Sequence, residues 1–84
     1  MENMHNNIKY EAEIDCVGLY CPMPIAKTKE GIETIKVGEV LKIEADDPAA
    51  EEDIKRFCKR TGHILLSFER LEDGTQRFLI KRRE

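Results

Sequence analysis

Four stretches of the chain alternate apolar and polar residues, which is the pattern of strands with one buried face. They are residues 8–16 (IKYEAEIDC), 39–46 (EVLKIEAD), 64–71 (ILLSFERL) and 76–82 (QRFLIKR). The apolar positions that share a side are Ile8, Tyr10, Ala12 and Ile14 in the first stretch and Leu41, Ile43 and Ala45 in the second. Asp73–Gly74 between the last two stretches is typical of a hairpin turn. We therefore predict four strands, with the last two joined as a hairpin.

A helix is predicted between the first two strands, where apolar residues recur every three or four positions. Residues 24–35 (PIAKTKEGIETI) form its apolar stripe from Ile25, Thr28, Ile32 and Ile35. Gly31 lies inside this helix and costs about 1 kcal/mol relative to alanine. Packing rather than propensity must therefore hold the helix, and Gly38 predicts the turn after it.

A second helix is predicted in residues 47–63 (DPAAEEDIKRFCKRTGH). Asp47 is the expected N-cap, Pro48 the first helical residue, and Gly62 the stop signal. The apolar stripe consists of Ala50, Ile54, Phe57, Cys58 and Thr61. Charge is segregated along this helix, with Glu51, Glu52 and Asp53 near its start and Lys55, Arg56, Lys59 and Arg60 toward its end. Such a surface can orient a docking partner.

The predicted order is therefore β-α-β-α-β-β in one domain, residues 1–84. Because every strand alternates, the sheet is covered on one face, and two helices suffice to cover four strands. This predicts an α/β (α+β) fold, a two-layer sandwich. One small core leaves no room for a deep substrate cavity.

Composition and charge argue against several classes of function. Acidic residues outnumber basic ones by 17 to 14, a net charge of −3 that argues against a nucleic-acid binder. No apolar run has the length of a membrane span, and the start MENMHNNIKY lacks the features of a secretory signal. We therefore expect a cytoplasmic protein. Three cysteines do not form an even disulfide framework, and in a reducing compartment they are structural, metal-binding or catalytic.

The segment CVGLYCPMP, residues 16–24, carries the main candidate chemistry. Pro22 keeps Cys21 in an extended conformation outside the helix, while Pro22 and Pro24 both fit a first helical turn. The helix is predicted to begin at one of these two prolines, which puts the Cys21 thiol at a helix N-terminus. That position and Lys27 nearby predict a thiol pKa lowered from about 8.5 to roughly 3.5–7.5. On spacing alone, the alternative of a packed small apolar residue stays open.

The chain resembles the TusA sulfur-carrier family, also called SirA-like. The resemblance lies in LYCPMP, in ADDPA about twenty-five residues later, and in TGHILL beyond it, and it runs from about Ile14 to Lys81. It implies a four-stranded mixed sheet like that of the C-terminal domain of a bacterial translation initiation factor.

The resemblance also implies a function. The motif cysteine, here Cys21, takes a persulfide sulfur from a cysteine desulfurase or rhodanese-like donor and passes it to an acceptor protein. Pro22, Pro24 and Lys27 would position it, with no cofactor and no metal. We expect a monomer that does not contact membranes or bind nucleic acid directly. Relatives serve tRNA thiolation, molybdenum-cofactor synthesis, sulfur oxidation or thiosulfate use, and nothing in the sequence chooses among them.

The remaining candidates each have a structural alternative. Cys16, at a position where the resembled family often has Cys or a small apolar residue, is favoured as a buried thiol over a resolving thiol for Cys21. Cys58 is expected in the core, and His63 is expected to be structural, as a cap of helix carbonyls, rather than a proton donor near a partner. A metal site formed by Cys16, Cys21, Cys58 and His63 lacks a close CxxC pair. The acidic residues Asp46, Asp47, Glu51, Glu52 and Asp53 suggest a helix cap and a solvated face, or else a surface for a basic partner.

Two other function classes compete with sulfur transfer. A regulatory or nucleic-acid-binding module would use the basic residues Arg77, Lys81, Arg82 and Arg83. A redox switch would use a disulfide between Cys16 and Cys21.

Overall fold

The structure, a computed structural model, describes residues 8–83. Residues 1–7, which hold most of the segment searched for a secretory signal, lie outside the described residues. The elements follow the order β-α-β-α-β-β. They are β1 (Ala12–Cys16), α1 (Met23–Thr34), β2 (Val40–Ala45), α2 (Ala50–Thr61), β3 (Ile64–Arg70) and β4 (Gln76–Lys81). Neither helix in this part of the chain is long and apolar enough to cross a membrane.

The four strands form one mixed sheet in the order β1-β2-β4-β3. β1 runs parallel to β2, and the other two neighbouring pairs are antiparallel. Because β1 and β2 are parallel neighbours, their carboxyl ends meet at the same edge of the sheet. The segments that follow these two strands therefore lie side by side.

Both helices pack on the same face of the sheet, as the alternation predicted. One cluster of buried apolar side chains joins residues of β1, β2 and β4 with residues of both helices. The opposite face carries cross-strand ion pairs, in which Lys42 lies 3.9 Å from Glu13 and Arg77 lies 3.0 Å from Glu44. Such pairs stabilise a sheet whose outer face is in water.

Gly31 explains how α1 fits on the sheet. A Cβ added there would overlap the Ile14 side chain and come within 2.9 Å of Leu41. The missing side chain lets the helix backbone approach β1 and β2 closely, so packing offsets the low helix propensity of glycine.

Two element boundaries differ from the predictions. The alternation predicted a strand from Ile8, but β1 begins at Ala12, which pairs with Leu41. The Glu11 N–H still bonds to the Val40 carbonyl, and upstream of Glu11 β2 offers no partner. Asp47 was predicted to be the N-cap of the second helix, but α2 begins at Ala50 after a separate Pro48–Ala49 turn. Gly62 does end α2, in the left-handed conformation that glycine adopts readily.

Candidate functional site

Cys21 lies directly before α1, on the surface. Pro22 is the residue at the N-cap position and Pro24 is buried in the first turn, so the helix begins between the two predicted starts. The Cys21–Pro22 peptide bond is cis. Cys21 is exposed, whereas Cys16 and Cys58 are buried, and none of the three is in a disulfide. The predicted position at the start of the first helix is confirmed, and because Cys21 is exposed it is not the packed small apolar residue of the alternative.

The loop between β2 and α2 fixes the position of Cys21 through two adjacent aspartates. The backbone N–H of Cys21 donates a 2.7 Å hydrogen bond to Asp47 Oδ2, and Gly18 N–H donates one of 2.9 Å to Asp46 Oδ1. Asp47 is itself buried; its carbonyl accepts a 2.9 Å hydrogen bond from the Gln76 side chain in β4. The Cys21 backbone is thus tied to the core.

The electrostatic surroundings of the thiol are acidic. The pKa of Cys21 is raised, first by the neighbouring Asp53 side chain, whose carboxylate favours the protonated thiol, with further contributions from partial desolvation and from the negative charges of Asp53 and Asp47. The predicted lowering of this pKa is therefore wrong. The position of the thiol at a helix N-terminus was predicted correctly. Two carboxylates from another part of the chain raise the pKa of Cys21 by more than the helix N-terminus lowers it.

Lys27 does not have the predicted electrostatic effect on Cys21. It is half-buried, and its positive charge acts on Cys16, where it lowers the pKa against the larger raising effects of burial and of Asp15. None of the groups that shift the pKa of Cys21 is basic. Lys27 belongs to the surroundings of the buried thiol.

A shallow groove of about 220 Å³ opens beside Cys21, between α1 and α2. Its lining consists of Cys21, Pro22, Ile25, Asp53, Arg56, Phe57 and Arg60. The chain was predicted to have no deep cavity, and this depression is open to solvent. Because Arg56 and Arg60 line this groove together with Cys21, part of the basic end of α2 lies on the same side of the molecule as the thiol.

The other cysteines are located in the core. Cys16 is fully buried at the end of β1 and pairs in register with Ala45 of β2. Cys58 is 6% exposed, and burial raises its pKa to about 11. The core position predicted for Cys58 is confirmed. A resolving role for Cys16 stays a prediction, although its burial favours the structural alternative.

His63 and the four basic residues of the nucleic-acid alternative lie outside the groove. His63 Nδ1 accepts a 3.0 Å hydrogen bond from the backbone N–H of Arg83, so it does not cap helix carbonyls as predicted. Burial and the charge of Arg82 lower the His63 pKa. Arg77 pairs with Glu44 and Glu69, and Arg82 donates to the last carbonyls of α1. Two of the four residues of the nucleic-acid alternative therefore have internal partners.

Within residues 8–83, no three metal-ligating side chains are grouped closely enough to hold an ion.

The residues that sequence reasoning missed are Asp47 and Asp53 as neighbours of the thiol. The signal for Asp47 was available, because a β-α-β unit predicts parallel strands and hence a shared edge for the segments after β1 and β2. Asp53 had no comparable signal. Its approach to Cys21 depends on how α2 lies beside α1.

Comparison with known proteins agrees with this geometry. A family model described as "Sulfurtransferase TusA" matches residues 12–82. A putative sulfur carrier protein of Archaeoglobus fulgidus is 49% identical over 69 residues, which cover 82% of this chain and 90% of the relative. The sulfur carrier protein TusA of Pseudomonas syringae is 36% identical over 77 residues, covering 92% of this chain and 90% of the relative.

A solved structure shows the same fold. The crystal structure of a SirA-like protein from Desulfitobacterium hafniense matches with a TM-score of 0.77 and 19% identity, covering 88% of this chain and all of the other. At that identity the likeness speaks for the fold alone. The family is shown by the matches in sequence, which span the Cys-Pro-Met-Pro segment, both helices and all four strands: the chain belongs to the TusA family of sulfur carriers.

Proposed function

We propose that the protein carries sulfur as a persulfide on Cys21, accepting it from one protein and delivering it to another. The observation that carries this proposal is the contrast in access among the thiols: Cys21 is exposed beside an open groove, and the other two are in the core. A carrier needs one thiol that a partner's sulfur can reach. An open groove suits transfer between protein surfaces better than capture of a small substrate.

The transfer balances without an oxidant or reductant. The Cys21 thiolate attacks the outer sulfur of a donor persulfide, a new S–S bond forms to Cys21 Sγ, and the S–S bond of the donor breaks. The donor cysteine leaves as a thiolate and takes up the proton that Cys21 gave up. Delivery repeats the exchange, with an acceptor sulfur as nucleophile and Cys21 as leaving group.

Asp53 and Asp47 set the resting state of this carrier. Their charges favour the neutral thiol over the thiolate, which is the attacking form. They lower the thiolate fraction of unloaded Cys21, and a partner that neutralised the Asp53 carboxylate would raise that fraction. The aspartates thus restrain the thiol between transfers rather than activating it.

The proposed partners are other proteins, as expected for a member of a sulfur-carrier family. We propose a cysteine desulfurase or a rhodanese-like protein as donor and a protein as acceptor, because the groove is too shallow to enclose a substrate. The carrier therefore acts as a sulfurtransferase whose substrates are other proteins. The cytoplasm is the proposed location, since three unpaired cysteines suit a reducing compartment.

Sulfur loading tests the proposal. The protein is incubated with a cysteine desulfurase and cysteine, and its intact mass is measured before and after reduction. The wild type is expected to gain the mass of sulfur and to lose it on reduction. Cys21→Ser should not load, whereas Cys58→Ser, the matched control, should load normally. Full loading of the Cys21→Ser variant would contradict the proposal.

A further inference from the structure

The two basic flanks of α2 point in different directions. Arg56 and Arg60 are four residues apart on the flank that lines the groove of Cys21. The Arg56 side chain is 68% exposed, with contacts of 3.4–3.5 Å to Asp53 and Glu52. The Arg60 guanidinium lies over the Phe57 ring, 5.9 Å from its centroid. Both guanidinium groups therefore reach the surface next to the thiol.

Lys55 and Lys59 lie on the other flank of α2. Lys55 Nζ is 2.7 Å from Glu51 and lies 5.4 Å from the centroid of the Phe68 ring, on the side of β3. Lys59 is exposed and does not line the groove. The helix thus offers two pairs of positive charges at the same spacing, of which one pair is beside Cys21.

Three exposed apolar side chains lie within four residues of Cys21 in the sequence. Tyr20 is 69% exposed, Val17 46% and Met23 42%. All three belong to the short segment that contains Cys21 and that also supplies Pro22 to the groove. Large apolar groups grouped at the surface mark interaction sites more often than scattered ones do.

We propose that Val17, Tyr20, Met23, Arg56 and Arg60 form the docking surface, called here the thiol face, for the proteins that exchange sulfur with Cys21. The partner that fits has acidic and apolar residues beside its own reactive cysteine. The inference rests on the proposed function, because a sulfur can pass only when the two cysteines touch, and the partner must then cover this surface. The net charge of −3 and the carboxylates of Asp47 and Asp53 repel an acidic partner, so a preference for one must come from the two arginines. Arg56 is 68% exposed, whereas its neighbour Asp53 is 21% exposed, so a partner meets the positive charge first.

Disulfide exchange with defined peptides tests the surface without any persulfide. Two peptides carry a cysteine activated as a 2-thiopyridyl disulfide, one flanked by Asp and Leu and the other by Lys and Leu. Their rates with the protein are followed by release of 2-thiopyridone and divided by their rates with 2-mercaptoethanol, which corrects for intrinsic reactivity. Because the acidic-to-basic rate ratio is compared within each variant, a change in the pKa of Cys21 cancels.

The wild type is expected to prefer the acidic peptide by about tenfold at low ionic strength, and high salt should remove most of that preference. The R56E/R60E variant should reverse the preference, and R56Q/R60Q should abolish it. The K55E/K59E variant has the same net charge as R56E/R60E and also loses an ion pair with a glutamate, yet it should retain the preference. Circular dichroism checks that each variant is folded.

Two results would overturn the proposal. One is a wild-type protein that shows no preference for the acidic peptide, and the other is a K55E/K59E variant that loses the preference as fully as R56E/R60E. The peptide assay involves no persulfide and no desulfurase, so the protein can fail it and still load sulfur. Failure of the docking surface is therefore distinguishable from failure of the carrier function.

Discussion

Cys21 and Cys58 carry the same functional group in opposite surroundings, and both have a raised pKa for different reasons. Burial alone raises the pKa of Cys58 to about 11, and its side chain is 6% exposed on the buried stripe of α2. Cys21 is exposed, and its pKa is raised chiefly by the neighbouring Asp53 side chain. A core cannot rearrange easily, whereas an approaching partner can reach the partly exposed Asp53 carboxylate and neutralise its charge.

Access, more than the resting thiolate fraction, separates a functional thiol from a structural one in this fold. Both pKa values lie on the same side of the ordinary value, so a ranking by pKa direction would not distinguish the two residues. What distinguishes them is that a partner's sulfur can reach Cys21. Asp53 and Asp47 in addition raise the pKa of Cys21, and a partner at the surface can reduce the contribution of Asp53.

Thiol labelling tests the access difference and should give the largest effect. Labelling of the native protein with iodoacetamide at pH 8, followed by peptide mapping, should modify Cys21 roughly 100-fold faster than Cys58, because a buried thiol reacts only after local opening. In denaturant the two rates should become similar. If Cys58 reacted as fast as Cys21 in the native protein, the contrast drawn here would be wrong.

Serine substitutions test the structural side of the comparison. Cys58→Ser places a hydroxyl on a buried apolar face and should lower the free energy of unfolding by about 1–3 kcal/mol. Cys21→Ser should change it by less than about 0.5 kcal/mol, as is usual for an exposed position. Urea unfolding followed by circular dichroism measures both. Equal destabilisation by the two variants would mean that Cys21 has a packing role that its exposure does not suggest.

Asp53→Asn tests the acidic restraint and should give the smallest effect. Removing the negative charge beside the thiol should lower the Cys21 pKa, so the midpoint of the alkylation rate against pH should move to lower pH. At pH 7 the variant should be alkylated several-fold faster than the wild type, and well above both pKa values the two rates should converge. Glu52→Gln on the same helix is the matched control and should leave the midpoint unchanged. A midpoint that moved upward in Asp53→Asn would refute the restraint.

Much of the fold could be predicted because its signals are local. Alternation located the four strands, and the helical stripe put Cys58 in the core. The errors are equally instructive. The strand predicted from Ile8 begins at Ala12, because residues 8–10 would need partners upstream of Val40, where β2 has not yet begun. The helix start predicted at Asp47 moved to Ala50, while the Asp47 carboxylate accepts hydrogen bonds from the N–H groups of Cys21 and Ala49.

By itself, the sequence determined that Cys21 stands at the start of a helix, since two prolines flanking one residue restrict the backbone wherever the chain lies. It did not determine the charge around the thiol. Asp47, 26 residues away, reaches Cys21 because parallel pairing puts the ends of β1 and β2 at one edge, and Asp53 does so because α2 packs beside α1. Local steric rules act over a few residues, whereas electrostatic effects depend on distance in space, which only the tertiary structure fixes.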